Sequence, residues 1–145
     1  MRTTLELTRH FSLEELTRSE VALRNGLDNV PNSEQIINLK ILCRTLLEPI
    51  RHLLNCPIHI NSGFRSKAVN KAVGGAVKSA HLEGRAADFF PVGEYLLKSF
   101  ETIRQSDLPY DQLIFEQGAW IHISFANQPR RQALKTNGNL YEEVA

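Results

Sequence analysis

The sequence lacks the features by which several large protein classes are recognised. Cys43 and Cys56 are its only cysteines, too few for a disulfide framework in a chain of 145 residues, so we expect both thiols to be reduced. It has no apolar run long enough to cross a membrane, and its N-terminus lacks the unbroken apolar stretch of a signal peptide. We therefore expect a protein that is synthesised in the cytoplasm, has no signal peptide and does not insert into membranes.

An excess of charge of one sign is also missing. The formal net charge is +1, and no basic stripe runs along the chain, so nothing indicates a nucleic-acid partner. The one dense basic cluster, Arg130, Arg131 and Lys135, is interpreted as a solvated face. With 42% hydrophobic and 23% charged residues, the balance is typical of a globular protein. We expect a single domain, 1–145, that is a monomer.

Several signatures of catalysis and metal binding are absent as well. There is no H-E-x-x-H helix, which excludes the metalloproteases that bind zinc through that motif. There is also no C-x-x-C pair, which excludes a structural zinc site built from such pairs. No G-x-S-x-G elbow or phosphate-binding loop occurs. His10, His52 and His59 have no partners at ligand spacing and are interpreted as structural.

Helix signals dominate the first part of the chain. Ser12, followed three residues later by Glu15, predicts the start of a helix that runs to about Arg24 and is stopped by Asn25 and Gly26. A longer helix follows, and Pro49 should kink it near its end. Its apolar residues recur at alternating steps of three and four, which predicts one core-facing stripe: Ile36, Leu39, Cys43, Leu46, Ile50 and Leu53.

Strand signals come later. Alternation predicts strands over 58–62 and 86–90, an amphipathic helix over about 93–105, and a hairpin of 112–116 with 120–125 around Gly118. Helices first and strands later favour an α+β fold, with the N-terminal helices packed on a small antiparallel sheet.

The most informative segment runs from Ser79 to Asp88. It places His81 and Asp88 seven positions apart, and His122 follows in the last hairpin strand. Alternation puts Trp120, His122 and Ser124 on the face opposite the apolar one. Two imidazoles and one carboxylate are a ligand set that leaves a fourth position open on a tetrahedral zinc, as catalytic zinc sites require. We therefore predict that His81, Asp88 and His122 bind zinc.

Two further residues fit such a site. Glu116 ends the first hairpin strand, six residues before His122, where the turn brings it near the metal. It is the candidate general base. Arg65 lies in the loop before the metal motif, and its guanidinium can bind a substrate carboxylate with two parallel hydrogen bonds.

These motifs resemble the M15 family of zinc peptidases, which share a fold with the hedgehog signalling domain. The resemblance rests on His81-Leu-Glu-Gly-Arg-Ala-Ala-Asp88 and Trp120-Ile-His122, on Ser62-Gly-Phe-Arg-Ser66 and Val73-Gly-Gly75, and on the opening His10-Phe-Ser-Leu-Glu-Glu-Leu16, which is similar to short phage and prophage members. It covers roughly 8–126 and implies a hedgehog/DD-peptidase-like fold bearing the zinc site.

The resemblance also implies roles. Zinc is held by His81, Asp88 and His122, the substrate is a peptidoglycan stem peptide, Arg65 holds a substrate carboxylate, and Ser79 lies beside zinc and substrate. We also place Trp120 among the substrate-binding residues. Some relatives carry a histidine at this position. Several relatives have the acidic base three residues before the last ligand, where this chain has Ala119. The hedgehog-like arrangement has it six before, at Glu116.

The leading hypothesis is therefore a zinc metallopeptidase of phage or prophage origin that cleaves stem peptides. D,D-carboxypeptidase, D,D-endopeptidase and L-alanyl–D-glutamate endopeptidase activities all fit, and such an enzyme acts on the cell wall if released or delivered by a phage assembly. The alternatives are a non-catalytic, zinc-containing module of the same fold that binds peptidoglycan or protein, and a metal-free structural or phage-assembly protein.

Overall fold

A computed structural model of the chain describes residues 5–144. Eight strands and six α-helices follow one another, with a π-helical turn at Cys43–Leu47 and a 3₁₀ turn at Ala80–Glu83. The helices are α1 Leu13–Thr17, α2 Glu20–Asn25, α3 Ser33–Leu42, α4 Glu48–Leu54, α5 Lys67–Ala72 and α6 Leu96–Arg104. The strands are β1 Glu6–Thr8, β2 Phe11–Ser12, β3 Ile58–Ser62, β4 Ala86–Pro91, β5 Gln112–Glu116, β6 Trp120–Ser124, β7 Gln132–Thr136 and β8 Tyr141–Glu143. The α+β class is confirmed.

The prediction of one helix from Ser12 to about Arg24 is wrong in one respect, because this segment forms two helices, α1 and α2. The Ser12 hydroxyl caps α1 by accepting a hydrogen bond from the N–H of Glu15, as expected. The helix ends at Arg18, whose backbone is extended, and the Ser19 hydroxyl then caps α2. Serine competes for backbone hydrogen bonds and favours helix starts over helix interiors, which accounts for the break. Gly26 ends α2 with φ +62°, at the predicted stop.

The long apolar stripe forms as predicted from Ile36 to Ile50, but its predicted last member, Leu53, is 42% exposed, and Leu54 packs against the core instead. The chain accommodates Pro49 by a π turn, and the extra residue of that turn shifts the stripe by one position. The N–H of Glu48 bonds to the carbonyl of Cys43, five residues back, so α3 and α4 are joined by a wider turn just before the proline. Such a turn absorbs the proline's missing N–H and its ring. Leu39, Leu42 and Ile50 are fully buried, and both cysteines are free, with Cys43 in the core.

The main sheet has six strands in the order β3-β4-β6-β5-β7-β8. The predicted strands over 58–62 and 86–90 are confirmed, and so is the predicted hairpin of 112–116 with 120–125, whose second strand ends one residue earlier, at Ser124. In contrast, α6 begins three residues later than expected, after a turn in which Gly93 adopts φ +81°. The expectation of a wholly antiparallel sheet is wrong, because β7 pairs parallel to β5. The strands β7 and β8 were not predicted, since their short, mixed sequences carry little alternation.

The basic cluster near the C-terminus has a structural role besides being solvated. The guanidinium and N–H of Arg130 bind the Asp111 carboxylate at 2.8–3.0 Å, and Arg131 lies over the Tyr110 ring at 4.8 Å. These contacts fix the connection that crosses from β6 past β5 to β7. Lys135 lies 3.9 Å from Glu101.

The core lies between one face of the sheet and the helices. Ala87, Phe89, Ile121, Ile123 and Leu113 face this core and are fully buried. The other face carries the residues that alternate with them, and it is open to a cleft. None of the helices within residues 5–144 has the length and apolar character needed to cross a bilayer.

Candidate metal centre and active-site cleft

Three potential metal ligands converge on the open face of the sheet. Asp88 on β4 and His122 on β6 are directly opposite each other in the antiparallel register, and His81 comes from the preceding 3₁₀ turn. One ligand atom from each lies within 4.8 Å of the other two, so the group could hold a metal ion. The Asp88 Oδ1 oxygen is 2.9 Å from Nδ1 of His122 and 3.3 Å from Nε2 of His81.

The turn that carries His81 is tightly specified. The Ser79 hydroxyl caps it by accepting from the N–H of His81, and Gly84 ends it with φ +75°. A Cβ at Gly84 would lie 2.6 Å from the carbonyl oxygen of Gln35, so glycine is required there for space as well as for conformation. Gly84 therefore anchors the turn between the two candidate ligands His81 and Asp88.

A backbone carbonyl orients the His81 ring. Nδ1 of His81 donates to the carbonyl oxygen of Gly63 at 2.6 Å, which leaves the lone pair of Nε2 facing the site. Metal-binding histidines ordinarily make such a second hydrogen bond, because it fixes both the tautomer and the ring direction. The loop before the metal motif therefore supports the candidate ligand.

The electrostatics of the three side chains favour a cation. Burial by itself would raise the pKa of Asp88, but the neighbouring imidazoles of His81 and His122 outweigh it and hold that pKa well below its usual range. Burial lowers the pKa of His81, and the negative charge of Asp88 opposes this shift. When the His81 ring is neutral, its Nε2 and the Asp88 carboxylate oxygen are both acceptors, and at 3.3 Å they repel unless a cation binds between them. Nitrogen and carboxylate ligands in these protonation states are those that zinc binds.

The candidate ligands lie in a cleft of about 920 Å³ that all the other sequence-predicted site residues also line: Arg65, Ser79, Glu116 and Trp120. The structure therefore brings the whole predicted set together. Arg65 is half-buried, and its Nη2 donates to the Ser79 hydroxyl at 3.3 Å. Its Nε is buried and has no partner among the described residues. A buried guanidinium donor without a partner is unfavourable in the free protein.

Glu116 is a half-buried carboxylate at the end of β5, opposite Trp120 in the register with β6. Burial raises its pKa; the attraction of His122 opposes this shift and the charge of Asp88 adds to it. Glu116 is two residues along β5 from Ile114, which is opposite His122, so its side chain projects from the same face of the sheet as the His122 ring. A carboxylate of raised pKa beside a metal centre is suited to accept and return a proton.

Tyr141 also lines the cleft, and no pattern in the sequence predicted this. It lies on β8, which was not predicted, and reaches the site only through the parallel pairing of β7 with β5. The turn signal Asn137-Gly138-Asn139 between two short polar strands was the one cue that could have indicated a hairpin there.

A family model described as Peptidase M15 matches residues 9–124. No curated protein matches the chain. The matched segment contains the three candidate ligands together with Arg65, Ser79, Glu116 and Trp120, and it ends before β7 and β8.

Proposed function

The chain belongs to the peptidase M15 family, and from that premise we propose that it is a zinc-dependent metallopeptidase that hydrolyses peptidoglycan stem peptides. The observation that carries the proposal is the convergence of two imidazoles and one carboxylate in a cleft that also holds Glu116 and Arg65. We include in it a hedgehog/DD-peptidase type of fold and, from the resemblance of the segment 10–16, an origin in a phage or prophage.

His81, Asp88 and His122 are the residues that would hold zinc. When bound, zinc supplies a Lewis acid for the substrate carbonyl and lowers the pKa of its water to about 7. The hydrogen bond from His81 to Gly63 supports this set by fixing the ring direction.

In this proposal Glu116 moves the proton. Its carboxylate accepts a proton from the attacking water and returns it to the leaving nitrogen, because an amine leaves poorly as an anion. The partial burial that raises its pKa improves its ability to take up and return that proton. Ala119, three residues before His122, has no group that could do this.

Arg65 binds a carboxylate of the stem peptide. Its planar fork offers two parallel donors, and the Ser79 hydroxyl holds one of its nitrogens in the cleft wall. Ser79 and Trp120 complete the substrate contacts on either side of the ligands. The bond cleaved is of the D,D type near D-Ala or the L-alanyl–D-glutamate type.

Digestion of purified sacculi by wild type and by Glu116→Gln tests the proposal. Glutamine keeps the size of the side chain but cannot carry a proton, so product release should fall by about 10²–10⁴-fold while zinc content is retained. Glu142→Gln is a matched control, because Glu142 is an exposed residue of β8. Near wild-type digestion by the Glu116 variant would contradict the role of Glu116.

One observation favours a second candidate, a non-catalytic zinc module that binds peptidoglycan or protein. Trp120 occupies a position at which some relatives carry a histidine, and an indole cannot donate as a charged imidazolium does. This candidate predicts that wild type binds sacculi and releases no peptide. The same digestion experiment therefore separates the two.

A further inference from the structure

We propose that Tyr141, in the C-terminal hairpin, is a substrate-positioning residue whose hydroxyl donates a hydrogen bond to a peptide oxygen of the substrate on the Glu116 side of the metal centre. The inference rests on the proposed function and adds to it a residue outside the segment that the family model matches.

The strand register places Tyr141 in one row with the predicted site residues. Glu116 is opposite Trp120 on β6 and Thr136 on β7, and Thr136 is opposite Tyr141 on β8. Directly paired residues in a sheet project from the same face. Trp120 is therefore the direct neighbour of Glu116 on one side, and Tyr141 lies two strands away on the other side, beyond Thr136. Glu116, Trp120 and Tyr141 all line the cleft.

The hairpin that carries Tyr141 is held in place independently of any ligand. The carboxamide oxygen of Asn137 accepts from the N–H groups of Asn139 and Leu140, and the Thr136 hydroxyl accepts from the N–H of Gly138. The N–H of Gln117 also bonds to the carbonyl of Thr136, which ties this turn to the turn after Glu116. The phenol is thus positioned by the backbone rather than by its own packing.

The surroundings keep the phenol a hydrogen-bond donor. Burial raises the pKa of Tyr141, and the negative charges of Glu116 and Asp88 raise it further. An ionised phenol would only accept, whereas a protonated one also donates, and the raised pKa keeps the Tyr141 phenol protonated at neutral pH. Tyr141 is 58% exposed at the rim of the cleft, and in the described part of the chain its hydroxyl has no hydrogen-bond partner. It is therefore free to meet a substrate.

Arg65 and Tyr141 come from opposite edges of the sheet. Arg65 follows β3, at one end of the strand order, and β8 is at the other end, with the candidate ligands between them. A substrate carboxylate at Arg65 would direct the rest of a peptide across Glu116 toward Tyr141. The cleft accordingly suits a peptide that extends to both sides of the reacting bond.

The test uses a soluble stem pentapeptide that carries both an L-Ala–D-Glu and a D-Ala–D-Ala bond. Its Kd is measured by calorimetry on zinc-loaded Glu116→Gln, in which turnover is suppressed, with and without Tyr141→Phe. Loss of one hydrogen bond should raise Kd about 3- to 10-fold. In the otherwise wild-type enzyme the same change should raise KM by a similar factor and leave kcat within about twofold, because the contact is made in the ground state and the transition state alike.

Tyr95→Phe is the matched control. Tyr95 is 82% exposed and does not line the cleft, so Kd and KM should not change. Unchanged zinc content and unfolding midpoint of Tyr141→Phe, together with the raised Kd, support the inference. A Kd and KM within twofold of the parent values overturn it while leaving the proposed function intact. If wild type cleaves no stem peptide and the Glu116 variant binds none, the proposed function is overturned and the inference with it.

Discussion

Gly63 packs against the core residue Leu16, and its carbonyl accepts a hydrogen bond from the candidate ligand His81. Adding one methyl group at Gly63 should therefore affect both the stability of the fold and the affinity for zinc. A Cβ at this position would lie 2.3 Å from the carbonyl oxygen of Leu16 and 2.9 Å from its Cδ1. Leu16 is fully buried, and its carbonyl accepts from the N–H of Phe64 at 2.8 Å. The backbone would have to open by about 1 Å to reach ordinary van der Waals separation. Overpacking of this kind costs about 1–3 kcal/mol.

The same displacement moves the carbonyl that orients His81. The Gly63 oxygen lies 2.6 Å from Nδ1 of His81, and a shift of about 1 Å breaks that hydrogen bond. Loss of such an outer contact typically weakens metal binding by about 10–100-fold. Gly63→Ala should therefore be less stable and also bind zinc less tightly.

Urea unfolding of metal-free protein and competition with a chelating dye measure the two effects of Gly63→Ala separately. Gly93→Ala is the control: its φ of +81° strains an alanine, but no atom lies within 4 Å of the added Cβ. It should lose about 1 kcal/mol of stability and keep its zinc affinity. If Gly63→Ala binds zinc as tightly as wild type, the carbonyl does not orient the ligand, and the reasoning fails.

Two further predictions concern substrate recognition and stability. Arg65→Lys should lower kcat/KM by about 10–100-fold on a carboxylate-terminated peptide while zinc content stays normal, because lysine cannot form two parallel charged hydrogen bonds; an equal effect on the amidated peptide would contradict this. Burial would raise the pKa of Glu48, but hydrogen bonds from His10 and Thr8 outweigh it and lower that pKa below 4.5. The stabilisation is therefore present above pH 4.5 and is lost as pH falls through the lower folded pKa. Glu48→Gln should cost about 1 kcal/mol at pH 7 and progressively less as pH falls below 4.5, by urea unfolding; a cost that is independent of pH would refute the assignment.

The geometry of the candidate centre was largely predictable because its determinants are local. Alternation along β6 fixes the face of His122, since Ile121 and Ile123 must be buried. The short segment from Ser79 to Asp88 contains the cap, the left-handed glycine and two of the three candidate ligands. Pairing of Asp88 opposite His122 then follows from a single strand contact.

The C-terminal part of the site was not predictable from the sequence. Strand β7 is stabilised by its parallel pairing with β5 and by the contacts of Arg130 with Asp111, which its own five residues do not indicate. Strand propensity depends on neighbours that are distant in sequence. Tyr141 reaches the cleft only through that pairing. The break between α1 and α2 at Ser19 was not predicted for another reason. An amphipathic pattern can continue through a serine that begins a new helix.

Zinc content of the purified protein tests the central claim most directly. Elemental analysis should find one zinc per chain in wild type and little in His81→Ala. The control His59→Ala removes an exposed ring that lies beside the Phe90 ring, and this variant should keep its zinc. A wild-type protein that binds no zinc, or a His81→Ala variant that retains full occupancy, would contradict the assignment of His81, Asp88 and His122 as the metal ligands.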